Sequence, residues 1–277
     1  MHLDLEAAQS LVEAALAEDI GSGDITTDYI IGAEQEGSAK IISRQAGIVA
    51  GLHLALAVFR KLDPAIDCNF FVSDGEKVSA ETVLAEIRGK IRPILSGERT
   101  ALNFLQQMSA IATKTAAFVE KAAPYNVKIL DTRKTVPGLR LLAKYAVKMG
   151  GGYNHRFGLY DAVLIKDNHI IAAGSIKNAV LMLKNKLPEK TTIEVETETL
   201  REVREALEAG ADIIMLDNMS IEAMKEAVSL AKGKAILEAS GGITLATVEK
   251  VAETGVDHIS VGELTNSVDA LDISIEW

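Results

Sequence analysis

From residue 127 onward the sequence keeps one rhythm, and that rhythm limits the fold more than any other feature. Short aliphatic runs alternate with stretches of helical period: VKIL then 138–149, DAVLI then 175–186, TIEVE then 199–208, DIIML then 220–231, KAILE then 244–253, and finally HISV. Six strand candidates separated by helices predict parallel pairing, since each helix carries the chain back to the starting edge of the sheet. The fold class expected is α/β. The residues alone leave open a doubly wound sheet or a barrel, and six strands fall short of eight, so a barrel would be incomplete. In both arrangements sites are built at the C-terminal strand ends, and these runs end at Asp131, Lys166, Glu196, Asp217, Glu238 and Gly262.

The preceding sequence reads differently. Residues 4–19 carry Leu5, Ala8, Leu11, Val12, Ala15 and Leu16 at helical spacing, with Asp4 placed to cap. Between about 36 and 92, runs such as AKIISR, CNFFV and TVLAEIRG are punctuated by Gly47, Gly51, Gly75 and Gly89, with a helix near 52–62. This predicts a small α+β domain with a mostly antiparallel sheet. Ser96 is expected to open a long helix reaching about 121, with SGER as a partial capping box. The domains expected are 1–115, 116–265 and a tail, 266–277.

Charge narrows the function. The chain of 277 residues carries Lys plus Arg 29 against Asp plus Glu 39, a net charge of −10, which disfavours a nucleic-acid partner. One cysteine, Cys68, allows no internal disulfide and fits a reducing cytoplasm. The acidic start does not read as a signal peptide, and no run reaches the ~18 apolar residues of a membrane span. A cytoplasmic protein with no membrane partner is expected.

Against this acidic background, residues 133–169 hold seven basic residues (Arg133, Lys134, Arg140, Lys144, Lys148, Arg156, Lys166) and two acidic ones, Asp161 and Asp167. A positive focus of this kind is the footprint of a small anionic ligand, although Lys144 and Lys148 read equally well as a solvated helix face. DTRKT places Arg133 and Lys134 at a strand end, and PGLR is expected to begin a helix at Pro137 whose amides favour anions. GGGYNHR joins three glycines, able to approach a ligand, to His155 and Arg156. Lys166 and His169 close the DAVLIKDNH run, where His169 could equally be structural. Glu194 and Glu196 share a strand face, and Asp217 ends the next strand. Glu196 and Asp217 suit Mg²⁺ with substrate phosphate, or a developing cation; equally, one could pair with a nearby Lys or Arg. Ser240, Gly241 and Gly242, with Gly262 one strand on, offer amides to a phosphate. The absence of GxxxxGK[ST] and GxGxxG argues against an NTPase or a dinucleotide fold.

With these residues in view, the sequence resembles the quinolinate phosphoribosyltransferase family. The matching segments are EDIGSGDITT, SGERTALNFLQQMSAIAT, the long block from Asp131 to Ile170, IEVE, MLDN, EASGGI and TGVDHISVGELT. The resemblance implies an N-terminal open-faced sandwich that the tail rejoins and an incomplete α/β barrel. It implies phosphoribosyl transfer from phosphoribosyl pyrophosphate to quinolinate, with loss of CO₂ and pyrophosphate, in de novo NAD synthesis. By the same resemblance Arg133, His155, Arg156 and Lys166 hold quinolinate, and Arg99 joins them from a neighbouring subunit. Lys134, Glu196 and Asp217 take the catalytic places, the two acids also holding Mg²⁺ and ribose hydroxyls. Ser240, Gly241, Gly242 and Gly262 cradle the 5-phosphate, with Thr132, Asn168 and His169 in supporting positions. A homodimer with a shared site is implied, and its assembly into a hexamer stays open. Ala239 stands where related sequences often carry Ser. The rivals are a molybdenum-transport-associated paralogue, typically without the lysine found here as Lys166, nicotinate phosphoribosyltransferase, and a non-catalytic phosphometabolite-binding protein, which would not need Glu196 and Asp217.

Overall fold

The computed structural model describes residues 3–277. They form two compact units. The first takes in residues up to Ala116, Thr135–Gly151 and Leu264–Trp277; the second takes in Ala117–Lys134 and Gly152–Glu263.

In the first unit, strands β1 (Glu36–Ser43), β2 (Asp67–Phe70), β3 (Thr82–Lys90) and β10 (Ile273–Glu276) make an antiparallel sheet in the order β10-β1-β3-β2. Thus the C-terminal segment adds a strand to this sheet, with Lys40 opposite Glu276 and Ser43 opposite Ile273. Arg44 fastens the addition by donating from Nε to Ser274 Oγ at 2.8 Å and pairing with Glu276. Helix Leu5–Ile20 starts where Asp4 accepts the Ala7 amide at 2.9 Å, and it buries Ala8, Val12 and Leu16, one turn apart. It packs against helix Leu52–Leu62, whose buried face includes Leu52, Ala55, Leu56 and Phe59.

The long helix spans Ile91–Ala122, so it begins before Ser96 and the expected capping box does not form. β3 runs into it without a loop, and Pro93 sits in the first turn, where a missing N–H leaves no carbonyl unserved. The Ser96 hydroxyl instead donates to Asp24 at 3.0 Å, and Asp24 caps helix Ile25–Ile30 through the Thr26 and Thr27 amides.

The second unit holds six parallel strands: β4 (Lys128–Leu130), β5 (Val163–Ile165), β6 (Ile193–Thr197), β7 (Ile213–Asp217), β8 (Ile236–Ser240) and β9 (His258–Ser260). Their order is β4-β9-β8-β7-β6-β5, and the edges β4 and β5 do not pair. This is the incomplete α/β barrel. Helices Ile176–Lys184, Leu200–Ala209 and Ile221–Ala231 return the chain between strands, each started by a side-chain cap from Ser175, Thr199 and Ser220.

One helix departs from the sequence reading. It runs over Arg140–Met149 rather than from Pro137, and it groups with the first unit. Val136 to Leu139 form a turn closed by the Leu139 amide on the Val136 carbonyl, with Gly138 left-handed at φ 83°, so the amides after Pro137 are not a helix start. Gly150, just past this helix, meets the long helix so closely that a Cβ would lie 2.3 Å from the Ala112 carbonyl oxygen. The first glycine of GGG therefore serves packing rather than a ligand. Among the described residues no helix is long and apolar enough to cross a membrane.

Gly150→Ala is expected to destabilise the protein by about 1–3 kcal/mol, the range for overpacking a close-packed contact. Urea denaturation at unchanged m-value would register the loss.

Candidate active site

The polar residues of the second unit gather at the C-terminal strand ends because every strand points the same way. Register sets the neighbours: Asp217 lies beside Ser240, Glu196 beside Met215, and Ser260 beside Leu130.

The segment after GGG is bound to the free edge of β4. Tyr153 bridges to Leu130 in parallel, its amide donating to Ile129 and its carbonyl accepting from Asp131. The fully buried Asp131 carboxylate then accepts from Asn154 Nδ2 at 2.6 Å and from the His155 amide at 2.9 Å. This places Asn154, His155 and Arg156 at the barrel's edge. Asp131 and Asn154 were not among the candidate residues. Their signal was an acidic residue immediately after a buried strand, which sequence alone cannot connect to a partner 23 residues away.

Arg133, Arg156 and Lys166 line one cavity of about 700 Å³ together with His169 and the Leu159–Ile165 stretch. Burial, and next the nearby Arg133 charge, hold the Arg156 guanidinium below its ordinary value. Two guanidiniums kept close enough to repel one another are an anion site in waiting, because a carboxylate would turn the repulsion into attraction. Arg156 is steadied by donating to the Ala162 carbonyl at 3.1 Å. Lys166 pairs with Glu196, so the pairing reading of Glu196 holds, and the pair joins the cationic cluster to the carboxylates.

Lys134 follows a turn in which its amide donates to Thr132 Oγ1 at 3.0 Å. Its aliphatic stem passes over Gly262, where a Cβ would come within 3.0 Å of Lys134 Cδ. At β8, Gly241 has φ 92°, and a side chain there would collide with Asn218, whose amide donates to the Ser240 carbonyl. Gly242 opens onto empty space. The Ser240–Gly242 turn therefore bares its backbone beside Asp217. In KDNH, His169 Nδ1 accepts the Lys166 amide at 3.0 Å and starts a helix, Asp167–Ala173, while Asn168 is exposed. Arg99 is exposed on the long helix, in the first unit.

Below the strand ends the barrel interior holds a second polar layer. Glu194 on β6 and Glu238 on β8, alternate strands as barrel layers require, both face His155. His155 Nε2 lies 3.1 Å from Glu194 and 3.5 Å from Glu238. Its Nδ1 accepts the Arg156 amide at 2.8 Å. Nδ1 therefore carries no proton, and Nε2 is the donor to the carboxylates. Burial, then the Glu194 charge, push the Glu238 carboxyl up from 4.5 to about 7. The three groups bring ligand atoms within 4.8 Å of one another, as a metal cage would. The proton retained on Glu238 provides the positive charge a metal would otherwise supply.

Comparison with known proteins places the whole chain. Residues 24–109 match the family model "Quinolinate phosphoribosyl transferase, N-terminal domain", and residues 111–276 match the C-terminal domain model. A probable nicotinate-nucleotide pyrophosphorylase [carboxylating] of Synechocystis is 46% identical over 94% of this chain and 89% of its own. The Bacillus subtilis protein of the same name is 45% identical over 99% and 94%. The crystal structure of NadC from Streptococcus pyogenes superposes with a TM-score of 0.97 at 40% identity, covering 100% of this chain and 98% of that one.

The raised Glu238 value fixes a direction for stability against pH. The folded protein holds this proton more tightly than the unfolded chain, so the contribution is complete below about 4.5 and is lost as pH rises through about 7. Glu238→Gln, which cannot ionise, is expected to flatten the decline over that window by about 3 kcal/mol. Denaturant midpoints for both proteins across the range check it.

Proposed function

The chain belongs to the quinolinate phosphoribosyltransferase family, and on that premise we propose how its strand ends carry the reaction. The protein transfers the phosphoribosyl group of phosphoribosyl pyrophosphate to quinolinate with decarboxylation, forming nicotinate mononucleotide, pyrophosphate and CO₂ on the de novo route to NAD. The observation that carries the reading of the site is the mutual approach of Arg133 and Arg156 in one cavity with Lys166. Quinolinate is a dianion with adjacent carboxylates, and three converging cations match it.

Arg133, Arg156 and Lys166 bind the two carboxylates and orient the ring nitrogen. Ser240, Gly241, Gly242 and Gly262 receive the 5-phosphate on backbone amides, and Lys134 meets the diphosphate. Glu196 and Asp217, from adjacent strands, hold the ribose hydroxyls and stand near the anomeric carbon, where positive charge grows as pyrophosphate leaves. They also fit Mg²⁺, which takes one or two carboxylates and substrate phosphates and, when bound, neutralises the diphosphate. When the ring nitrogen attacks, it becomes cationic and draws electrons from the neighbouring carboxylate bond. CO₂ departs, and the ring carbon left behind takes up a proton. Orientation and fixed charge supply most of the rate.

We also propose that the protein works in the cytoplasm as a homodimer in which the exposed Arg99 serves the partner's site, with a hexamer as a further assembly. The exposure of Leu159 and Tyr160 beside the cavity supports a covering partner. Light scattering gives the mass, and mixing an Arg99→Ala protein with one carrying an inactivated barrel tests the sharing. Recovered activity supports it; none rejects it.

Incubation with Mg²⁺, phosphoribosyl pyrophosphate and quinolinate labelled at the 2-carboxylate should release labelled CO₂ only when all are present. Nucleotide formed from nicotinate without release would overturn the decarboxylating assignment. Arg133→Ala is expected to weaken quinolinate use at least about tenfold, from loss of charge-assisted hydrogen bonds. Gly241→Ala should instead raise the KM for phosphoribosyl pyrophosphate, because the turn must move away from Asn218. Steady-state kinetics with each substrate varied separates the two effects.

A further inference from the structure

Glu238 lies outside every role assigned above, yet its environment is unusual. Its side chain is 1% exposed and its Oε1 makes no hydrogen bond. An unsatisfied buried polar atom is destabilising, so a fold that places one here retains it against a stability gradient. The groups facing it are Glu194 from β6, His155 from the segment bound to β4, and His258 from β9, whose Nδ1 is 3.9 Å from Glu238 Oε2. The resemblance to the family implies that His155 holds a substrate carboxylate. In the structure both ring nitrogens serve the chain itself, Nδ1 accepting the Arg156 amide and Nε2 facing the two carboxyl groups.

We infer that Glu238 is a positioning residue of the quinolinate site, acting through the His155 ring to fix the Arg156 main chain and the guanidinium it carries. The inference rests on the substrate reading given above. The ring is a strut between the barrel interior and Arg156. Its Nδ1 can accept the Arg156 amide only while that nitrogen is proton-free. A protonated Glu238 leaves Glu194 as the one anion at Nε2, and the neutral ring satisfies it. When Glu238 loses its proton, two anions face Nε2 and favour an imidazolium. An imidazolium cannot accept the Arg156 amide, so the strut turns and Arg156 loses its inner anchor. Quinolinate binding then weakens on the alkaline side, while phosphoribosyl pyrophosphate binding does not follow.

The test measures quinolinate and phosphoribosyl pyrophosphate binding separately by calorimetry, from mildly acid to mildly alkaline pH, on the full chain and on Glu238→Ala and Glu238→Gln. A parallel spectrum of the ¹⁵N-histidine-labelled protein reads which nitrogen of His155 carries the proton. Glu238→Ala is expected to weaken quinolinate more than about tenfold, the scale of one lost charge-assisted contact, with phosphoribosyl pyrophosphate affinity little altered. Glu238→Gln, an uncharged isostere, should recover most of the loss and remove the alkaline decline. His155 Nδ1 should be proton-free at neutral pH. Quinolinate affinity unchanged in Glu238→Ala, a Gln variant as weak as the Ala variant, or a proton on Nδ1 would each overturn the inference. If Glu238→Ala does not fold, the Gln pH profile and the histidine spectrum still decide. If the unaltered protein binds no quinolinate, the substrate reading fails, and the His155 protonation of Glu238→Gln against the unaltered protein still judges the strut.

Discussion

A six-stranded barrel has two unpaired edges, and the site depends on how one of them is finished. Asp131 does this work. Its carboxylate, fully buried at the end of β4, accepts from Asn154 and the His155 amide and holds the returning chain against the strand. A buried carboxylate without such donors would be strongly unfavourable, so the returning segment and the acid require each other. The functional arrangement follows from that clasp. It sets His155 over the interior acids and Arg156 in the cavity with Arg133, and it leaves the rest of the strand ends free for a phosphorylated sugar.

Two layers of charge are thereby stacked along one barrel axis. The outer layer is cationic and open, with Arg133, Arg156 and Lys166 around a cavity. The inner layer is acidic and closed, with Glu194 and Glu238 around a histidine. Lys166 and Glu196 couple the cationic cluster to the carboxylates of the reaction side. Such alternation lets a protein of net charge −10 present a local positive surface to a dianion.

Much of this was legible in the residues. The six strands, their parallel sense and the polar strand ends follow from periodicity, because buried parallel strands bounded by helices leave few other arrangements. Arg133, Arg156 and Lys166 stood out as cations at strand ends. What was not legible depends on distant partners. Ser96 has the sequence of a helix cap, but its hydroxyl is claimed by Asp24 from 72 residues away. Gly150 looks like part of a ligand loop, yet its space is taken by the long helix. Glu238 sits in an ordinary alternating strand, and only the barrel's curvature brings it to His155.

The pairing of β10 with β1 has a consequence for how the chain is made. Lys40 and Glu276 are neighbours in the sheet and nearly the whole sequence apart. During synthesis from the amino end, β1 can pair with β3 early, but its other edge waits for the last strand to leave the ribosome. The barrel strands, by contrast, are contiguous in sequence and can assemble as they emerge. The chain thus carries an open sheet edge through most of its own translation, and the closing contact has the highest sequence separation in the molecule's sheets. The final residues to be synthesised act as a seal on the first sheet to form.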